Sequence, residues 1–414
     1  MILSPESVIS LPSRRKIVLF LFFYDNKMNV VDLKKEIKHI SYPFLDGIRG
    51  IAALTIVLRH SGFPISGAVA VEIFFFLSSF LLSLRLLNDF ALVFNLISDC
   101  QNIWKQLTGK ILNYILKRIA RIYPLYIVVL VVLTFLSIDH RYIFYSVAKD
   151  YYINFSSKLI DMVLLVDPLY MHNFWSLRVE FTFYFYLPFA SLVASFLIER
   201  YKKYNPNLII LMMPIIIGYF YVINSILSVR TGGRGFRKEN GILISSFYAH
   251  RWTFWLGFAF ALTHDAIKKI KINISKKALF VSQGLSNFCF YWCVFFLFHG
   301  DSAHKKLFRV PNEYPQGDYC IIALPLGIFI LNECFCVGPI SEFLSGRIFR
   351  YLGKISFSTY LIHPFFIGIY TLYFEDSGIL KWFFTVYCTV TFSLFTFKYI
   401  ELPFNSLAAK MARF

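Results

Sequence analysis

Arg49 and His60 lie inside one largely apolar stretch, LDGIRGIAALTIVLRH, from Leu45 to His60. An ionisable group carried into hydrocarbon is costly unless it is paired or used. Eleven helical positions turn the chain by about 1100°, within about 20° of three full turns, so both side chains fall on one face about 16 Å apart along the axis. Asp46, three residues before Arg49, can pair with it on that face. His60 has the side chain whose ordinary pKa suits proton transfer near neutral pH. The spacing predicts a base deep in a bilayer with an arginine near one surface.

Three further groups could carry chemistry. Arg118-Ile-Ala-Arg121, inside KRIARIYPLY, places two guanidiniums on one helix face beside Lys117. Such forks grip phosphate oxygens bidentately, and the same pattern also serves plain anchoring against lipid headgroups. In HNFWSLRVEFTFYFYLP, His172 to Pro188, Trp175 marks an interface and Glu180 enters an apolar span. A carboxylate there faces the bundle interior and finds a partner; it either orients His60 or pairs with an arginine. Glu72, in GAVAVEIFFFLSSFLL, is expected in an ion pair, with Ser78 and Ser79 at a close helix contact. His363, before Pro364 in LGKISFSTYLIHPF, is expected as a hydrogen-bonding group at a kink.

The elements that position these residues follow from composition. The 414 residues are 57% hydrophobic and 16% charged, with 48 Phe and 26 Tyr. The mean hydropathy of +0.59 excludes a soluble domain. Windows of about twenty residues give spans near 44–60, 67–87, 121–138, 175–198, 207–227, 247–264, 279–299, 320–337, 351–373 and 379–400. Backbone in lipid must satisfy its own hydrogen bonds, so the fold class is all-α, a polytopic membrane bundle of about ten transmembrane helices.

The net charge of +18 sits in short segments between apolar runs, which marks topology rather than a nucleic-acid surface. With both termini cytoplasmic, in a plasma or inner membrane, the inner segments take Lys105 to Arg121, Lys268 to Lys277 and Arg347 to Lys354. Residues 1–41 are expected to be a mobile leader or an overlong start ahead of Met28. The membrane domain is expected over 42–404 and a short cytoplasmic tail over 405–414. Seven cysteines show no paired-ligand spacing, so no metal is expected.

Six strings occur in order from about Tyr42 to Phe404: LDGIRGIAALTIVLRH, EIFFFLSSFLL, RIARIYPLY, FWSLRVEFTFY, LGKISFSTYLIHPF and KYIELPF. Together they resemble the membrane acyltransferase-3 family. The resemblance implies a cytoplasmic acyl-CoA donor, acetyl-CoA by family habit, and a hydroxyl acceptor, a cell-surface or lipid-linked carbohydrate. The family's arginine and histidine ten residues apart match Arg49 and His60. Its paired arginines match Arg118 and Arg121, and its SLxVE string matches Ser176 to Glu180. Glu72 stands where the family has Asp, and Ser79 where it has Gly.

On that resemblance His60 is the general base, with Arg49 and Glu180 in the catalytic set. Arg118 and Arg121 hold the donor phosphates, and Asp46, Glu72, Trp175, Ser176 and His363 support them. Direct transfer and an acyl-histidine intermediate both remain open. The alternative from another class is a proton-coupled transporter using Glu72, Glu180 and His60 as a relay. It would release no thiol. Membrane lipids are the expected surroundings, and the oligomeric state is not legible.

Overall fold

The computed structural model describes residues 42–96, 100–145, 155–165, 174–200, 213–214, 236–239, 242–245, 247–269, 276–308, 320–374 and 378–411. The leader expected over 1–41 and all but two residues of the span expected near 207–227 lie outside them.

In chain order the helices are α1 (Pro43–His60), α2 (Gly67–Leu96), α3 (Cys100–Phe135), α4 (Ile138–Tyr145), α5 (Phe155–Val163) and α6 (Trp175–Arg200). A two-stranded antiparallel ribbon follows, β1 (Phe236–Glu239) against β2 (Ile242–Ser245), a small addition to an otherwise helical chain. Then come α7 (Phe247–Lys269), α8 (Lys276–Phe308), α9 (Cys320–Phe335), α10 (Pro339–Leu344), α11 (Arg347–Lys354), α12 (Ser356–Tyr373) and α13 (Ile379–Thr396). A π-helical turn, Phe397–Glu401, leads from α13 into α14 (Leu402–Met411). Residues 405–411, expected as tail, therefore continue the last long helix.

Helices lie over the other expected windows. Among the described residues, five are long and apolar enough to cross a membrane, or six if α11 and α12, bent by 72°, form one broken span. Their outer faces carry large apolar side chains, such as Phe185 and Phe189 on α6, Phe280 and Phe288 on α8, and Phe383 on α13. Apolar surface on this scale belongs against lipid. The chain is an integral membrane protein.

The centre of the bundle is α2, apolar on nearly every side; 72% of its most hydrophobic window is buried, against 33% for α3 and α6. Ser79 on α2 donates to the carbonyl of Phe254 on α7 at 2.5 Å. A Cβ on Gly257 would lie 2.8 Å from Ser79 Cβ, so the missing side chain on α7 makes room for the serine.

Helix α1 starts on Pro43, where the missing N–H costs nothing, and carries Asp46 in its first turn, where the helix dipole favours an acid. It stops because Gly62 adopts φ +99°. The Phe63 N–H then reaches the Leu58 carbonyl at 2.9 Å and the Gly62 N–H reaches that of Arg59 at 3.1 Å, the paired bonds of a Schellman cap. His60 is thus the last residue of α1 and exposed on the protein surface. The glycine-terminated turn that follows it directly is what places it at the helix end.

The other end of α1 is locked by close backbone approach. A Cβ at Gly47 would meet the Leu344 carbonyl oxygen at 2.1 Å, and one at Gly353 would meet the Asp46 carbonyl oxygen at 2.0 Å. Glycines here let α10 and α11 touch the turn that carries Asp46 and Arg49.

At about 1.5 Å per residue, α2 and α3 run about 45 and 54 Å, well beyond a hydrocarbon core of about 30 Å. The C-terminal part of α2 and the N-terminal part of α3 extend on the same side and are joined by Lys110 and Asp89 at 2.9 Å. α14 packs on α3 there as well. These overhangs build the mouth of the cavity described below.

Gly353→Ala is expected to lower the stability of the purified protein by about 1–3 kcal/mol through forced overpacking. Gly109→Ala, on α3 with nothing within 4 Å of the new methyl group, should be neutral or stabilising by up to about 1 kcal/mol. Thermal unfolding of both variants in the same detergent checks the contrast.

Candidate active site

One cavity of about 810 Å³ penetrates the bundle between α1, α2, α3, α6 and α12. Its lining on α2 runs from Val71 to Arg85, fourteen residue steps or about 21 Å of helix. Arg49 and Asp46 enter from α1, Lys117, Arg118 and Arg121 from α3, and Ser176, Glu180 and Tyr184 from α6. At the far end from Arg85, the Ser176 and Tyr360 hydroxyls meet at 2.7 Å.

The charges in this cavity are unequally matched. Arg49 faces Asp46 at 4.0 Å, the expected pair in a loose form. Arg121 Nη1 lies 2.8 Å from Glu401 Oε2. Glu401 is only 1% exposed and also accepts a hydrogen bond from Ser358. The π-helical turn delivers Glu401 to this position, a local departure often found at functional sites. Arg85, Lys117 and Arg118, by contrast, have no carboxylate within 4 Å among the described residues. The Arg118 guanidinium lies over the Tyr184 ring at 5.7 Å, with its buried Nε lacking a hydrogen-bond partner. The cavity therefore holds a surplus of positive charge near the overhanging mouth, suited to a polyanion.

Glu180 does not reach His60. Its carboxylate accepts hydrogen bonds from Ser78 on α2, at 2.5 Å, and from Tyr184 one turn along α6. Glu72 is hydrogen-bonded through its carboxylate to Nδ1 of His250 on α7. Trp175 stacks on His250 at 5.3 Å between ring centres, and Phe75 meets both rings edge-on. The three groups of the relay considered above thus each hold a different partner.

His60 belongs instead to a histidine pair. Its Nδ1 is 2.8 Å from Nε2 of His363 on α12, with the ring centres 5.0 Å apart and the ring planes within 27° of each other, so the two rings meet edge to edge. His363 is 0% exposed and sits one turn beyond Tyr360, so the pair stands just past the Ser176–Tyr360 end of the cavity. Among the described residues no group of three or more His, Cys, Asp or Glu could hold a metal ion.

Arg85, His250 and Glu401 are not among the residues singled out by sequence spacing. Arg85 was within reach of it: seven residues after Ser78, it repeats the same face of α2. No spacing could have joined Glu401 to Arg121 or His250 to Glu72, because those contacts cross between helices far apart in sequence.

An O-acetyltransferase OatA of Staphylococcus aureus (strain NCTC 8325 / PS 47) is 25% identical over 412 residues, 94% of this chain and 61% of that protein. A protein of strain COL, whose name gives O-acetyltransferase only as an inferred activity, is 24% identical over 408 residues, 93% of this chain and 60% of its own length. The chain thus spans about three-fifths of the length of these curated relatives. No solved structure matches it. The family model described as an acyltransferase domain matches residues 42–398, most of the chain, and the protein therefore belongs to the acyltransferase-3 family.

Proposed function

We propose that this protein is a multi-pass membrane O-acyltransferase that moves an acyl group, acetyl first among candidates, from cytoplasmic acyl-CoA to a hydroxyl of a cell-surface or lipid-linked carbohydrate. The observation that carries the reading is the cavity, cationic at its mouth and ending beside the histidine pair. The O-acetyltransferase names of the relatives support the acetyl group and the hydroxyl acceptor. The basic overhangs of α2 and α3 support a cytoplasmic mouth by the positive-inside rule, with both termini on that side and the catalytic domain over 42–404.

Arg118, with Lys117 and Arg85, would grip the donor's phosphates, while the thin pantetheine arm runs along the cavity toward Ser176 and Tyr360. Arg49, about 16 Å down α1 from His60, is too distant to act at the thioester carbonyl, so its charge serves the donor. Arg121 is held by Glu401, which makes the pair a fixed wall that positions Arg118 on the preceding turn of α3. Glu180 fixes Ser78 and Tyr184 in the same wall.

At the inner end His60 takes the proton of the acceptor hydroxyl as that oxygen bonds to the thioester carbon. The tetrahedral oxyanion then collapses, breaking the carbon–sulfur bond, and the leaving thiolate receives the proton from His60. Hydroxyl donors at Ser176 and Tyr360 would stabilise the charge gained by the carbonyl oxygen, since such donors act strongly where water is excluded. His60→Ala is expected to cut acetyl-CoA turnover by about 10²–10⁴-fold with a glycan extract as acceptor. Donor affinity should be retained. Folded protein that fails to bind acetyl-CoA, or that releases no thiol with any acceptor, would overturn the reading, and the latter outcome favours a transporter.

Arg118→Gln should raise the donor KM about tenfold with little change in saturated rate, since one charge-assisted contact is lost. For the wall, Glu401→Leu alone is expected to cost about 3–5 kcal/mol by stranding Arg121. Arg121→Met combined with Glu401→Leu should recover much of that loss, so the two substitutions are expected to be strongly non-additive in a double-mutant cycle.

A further inference from the structure

We infer that His363 is a positioning residue that fixes the tautomer of His60, and that Pro364 is what makes this possible. In an α-helix the carbonyl of residue 360 would accept from the N–H of residue 364. Residue 364 is proline, which has no N–H. The Tyr360 carbonyl therefore lacks its helical donor, and the His363 ring turns back to supply one: Nδ1 lies 2.7 Å from Tyr360 O and 3.3 Å from Thr359 O.

A carbonyl oxygen only accepts, so His363 Nδ1 carries the hydrogen. Neutral imidazole has a single N–H, which leaves the lone pair of His363 on Nε2. That nitrogen is 2.8 Å from His60 Nδ1. The bond between the rings then has one polarity, with His60 Nδ1–H donating and His363 Nε2 accepting. Consequently the lone pair of His60 lies on Nε2, and that atom is the one that takes a proton or attacks an acyl carbon. When His60 becomes an imidazolium, its Nδ1–H bond to His363 becomes charge-assisted and gains strength, which stabilises the state formed during transfer. The fully buried ring of His363 fixes this partner in place.

The assignment of the tautomer stands on geometry alone. Its consequence for turnover rests on the acyltransferase reading above. The test uses the full chain with ¹⁵N-labelled histidine, the His60 signals being identified by their loss in His60→Ala. The intact protein is expected to show His60 protonated at Nδ1 and bare at Nε2.

His363→Leu removes the acceptor and should give a mixed tautomer, with kcat lower by about 10–100-fold and the KM for acetyl-CoA unchanged. His363→Gln offers a carbonyl oxygen near the former Nε2, and should restore the tautomer and most of the lost kcat. Pro364→Ala returns a competing N–H to the Tyr360 carbonyl, and should loosen the His60 tautomer without touching either ring.

A His60 signal protonated at Nε2 in the intact protein overturns the inference. So does an unchanged tautomer in folded His363→Leu. An intact protein with the expected tautomer that releases no thiol leaves the pair standing and overturns the acyltransferase reading instead, so the two failures are distinguishable.

Discussion

Polar groups inside an apolar bundle have to be met by one another, since neither lipid nor aromatic side chains can solvate them. This constraint accounts for the acids inside the bundle in turn. Glu72 is held by His250, and Glu180 by Ser78 and Tyr184. Glu333 accepts from Ser286 and from the Gly338 N–H, both at 2.8 Å, tying α8 to α9 and to the start of α10. Glu401 is met by Arg121 and Ser358. Each pairing joins at least two helices, so satisfying the charge also fixes how the helices lie against each other.

The cavity is where this matching stops. Among the described residues Arg85, Lys117 and Arg118 have no carboxylate within 4 Å, and the buried Arg118 Nε lacks a hydrogen-bond partner. The surplus lies where the ends of α2, α3 and α14 extend beyond the other helices and build the mouth of the cavity. Its excess positive charge is suited to an anionic ligand. Arg121 looks equivalent to Arg118 in the sequence, three residues apart on one face. The π-helical turn separates their roles by bringing Glu401 to one of them only.

Close packing then sets the distance between the two ends of the site. Gly47 and Gly353 let α1 touch α10 and α11 through backbone atoms, which fixes Arg49, while the left-handed Gly62 ends α1 directly after His60. Arg49, in the second turn of α1, and His60, its last residue, are in this way held about 16 Å apart along one rigid helix. His363 meets His60 because α12 packs along α1, and it presents one nitrogen because Pro364 has no N–H to offer.

Much of this was determined by the sequence alone. Apolar windows about twenty residues long specify helices that bury or face lipid, and the position of each ionisable group within a window is a local property. So were the shared face of Arg118 and Arg121, the Asp46–Arg49 pair and the family strings, all of which depend on residues near each other in the chain. Tertiary structure alone decided the partners: His363 rather than Glu180 for His60, His250 for Glu72, and Glu401 for Arg121. Helical periodicity says which way a side chain points from its own axis. It carries no information about which other helix stands there, because that depends on the packing of all the helices at once, down to glycines whose role is to be absent.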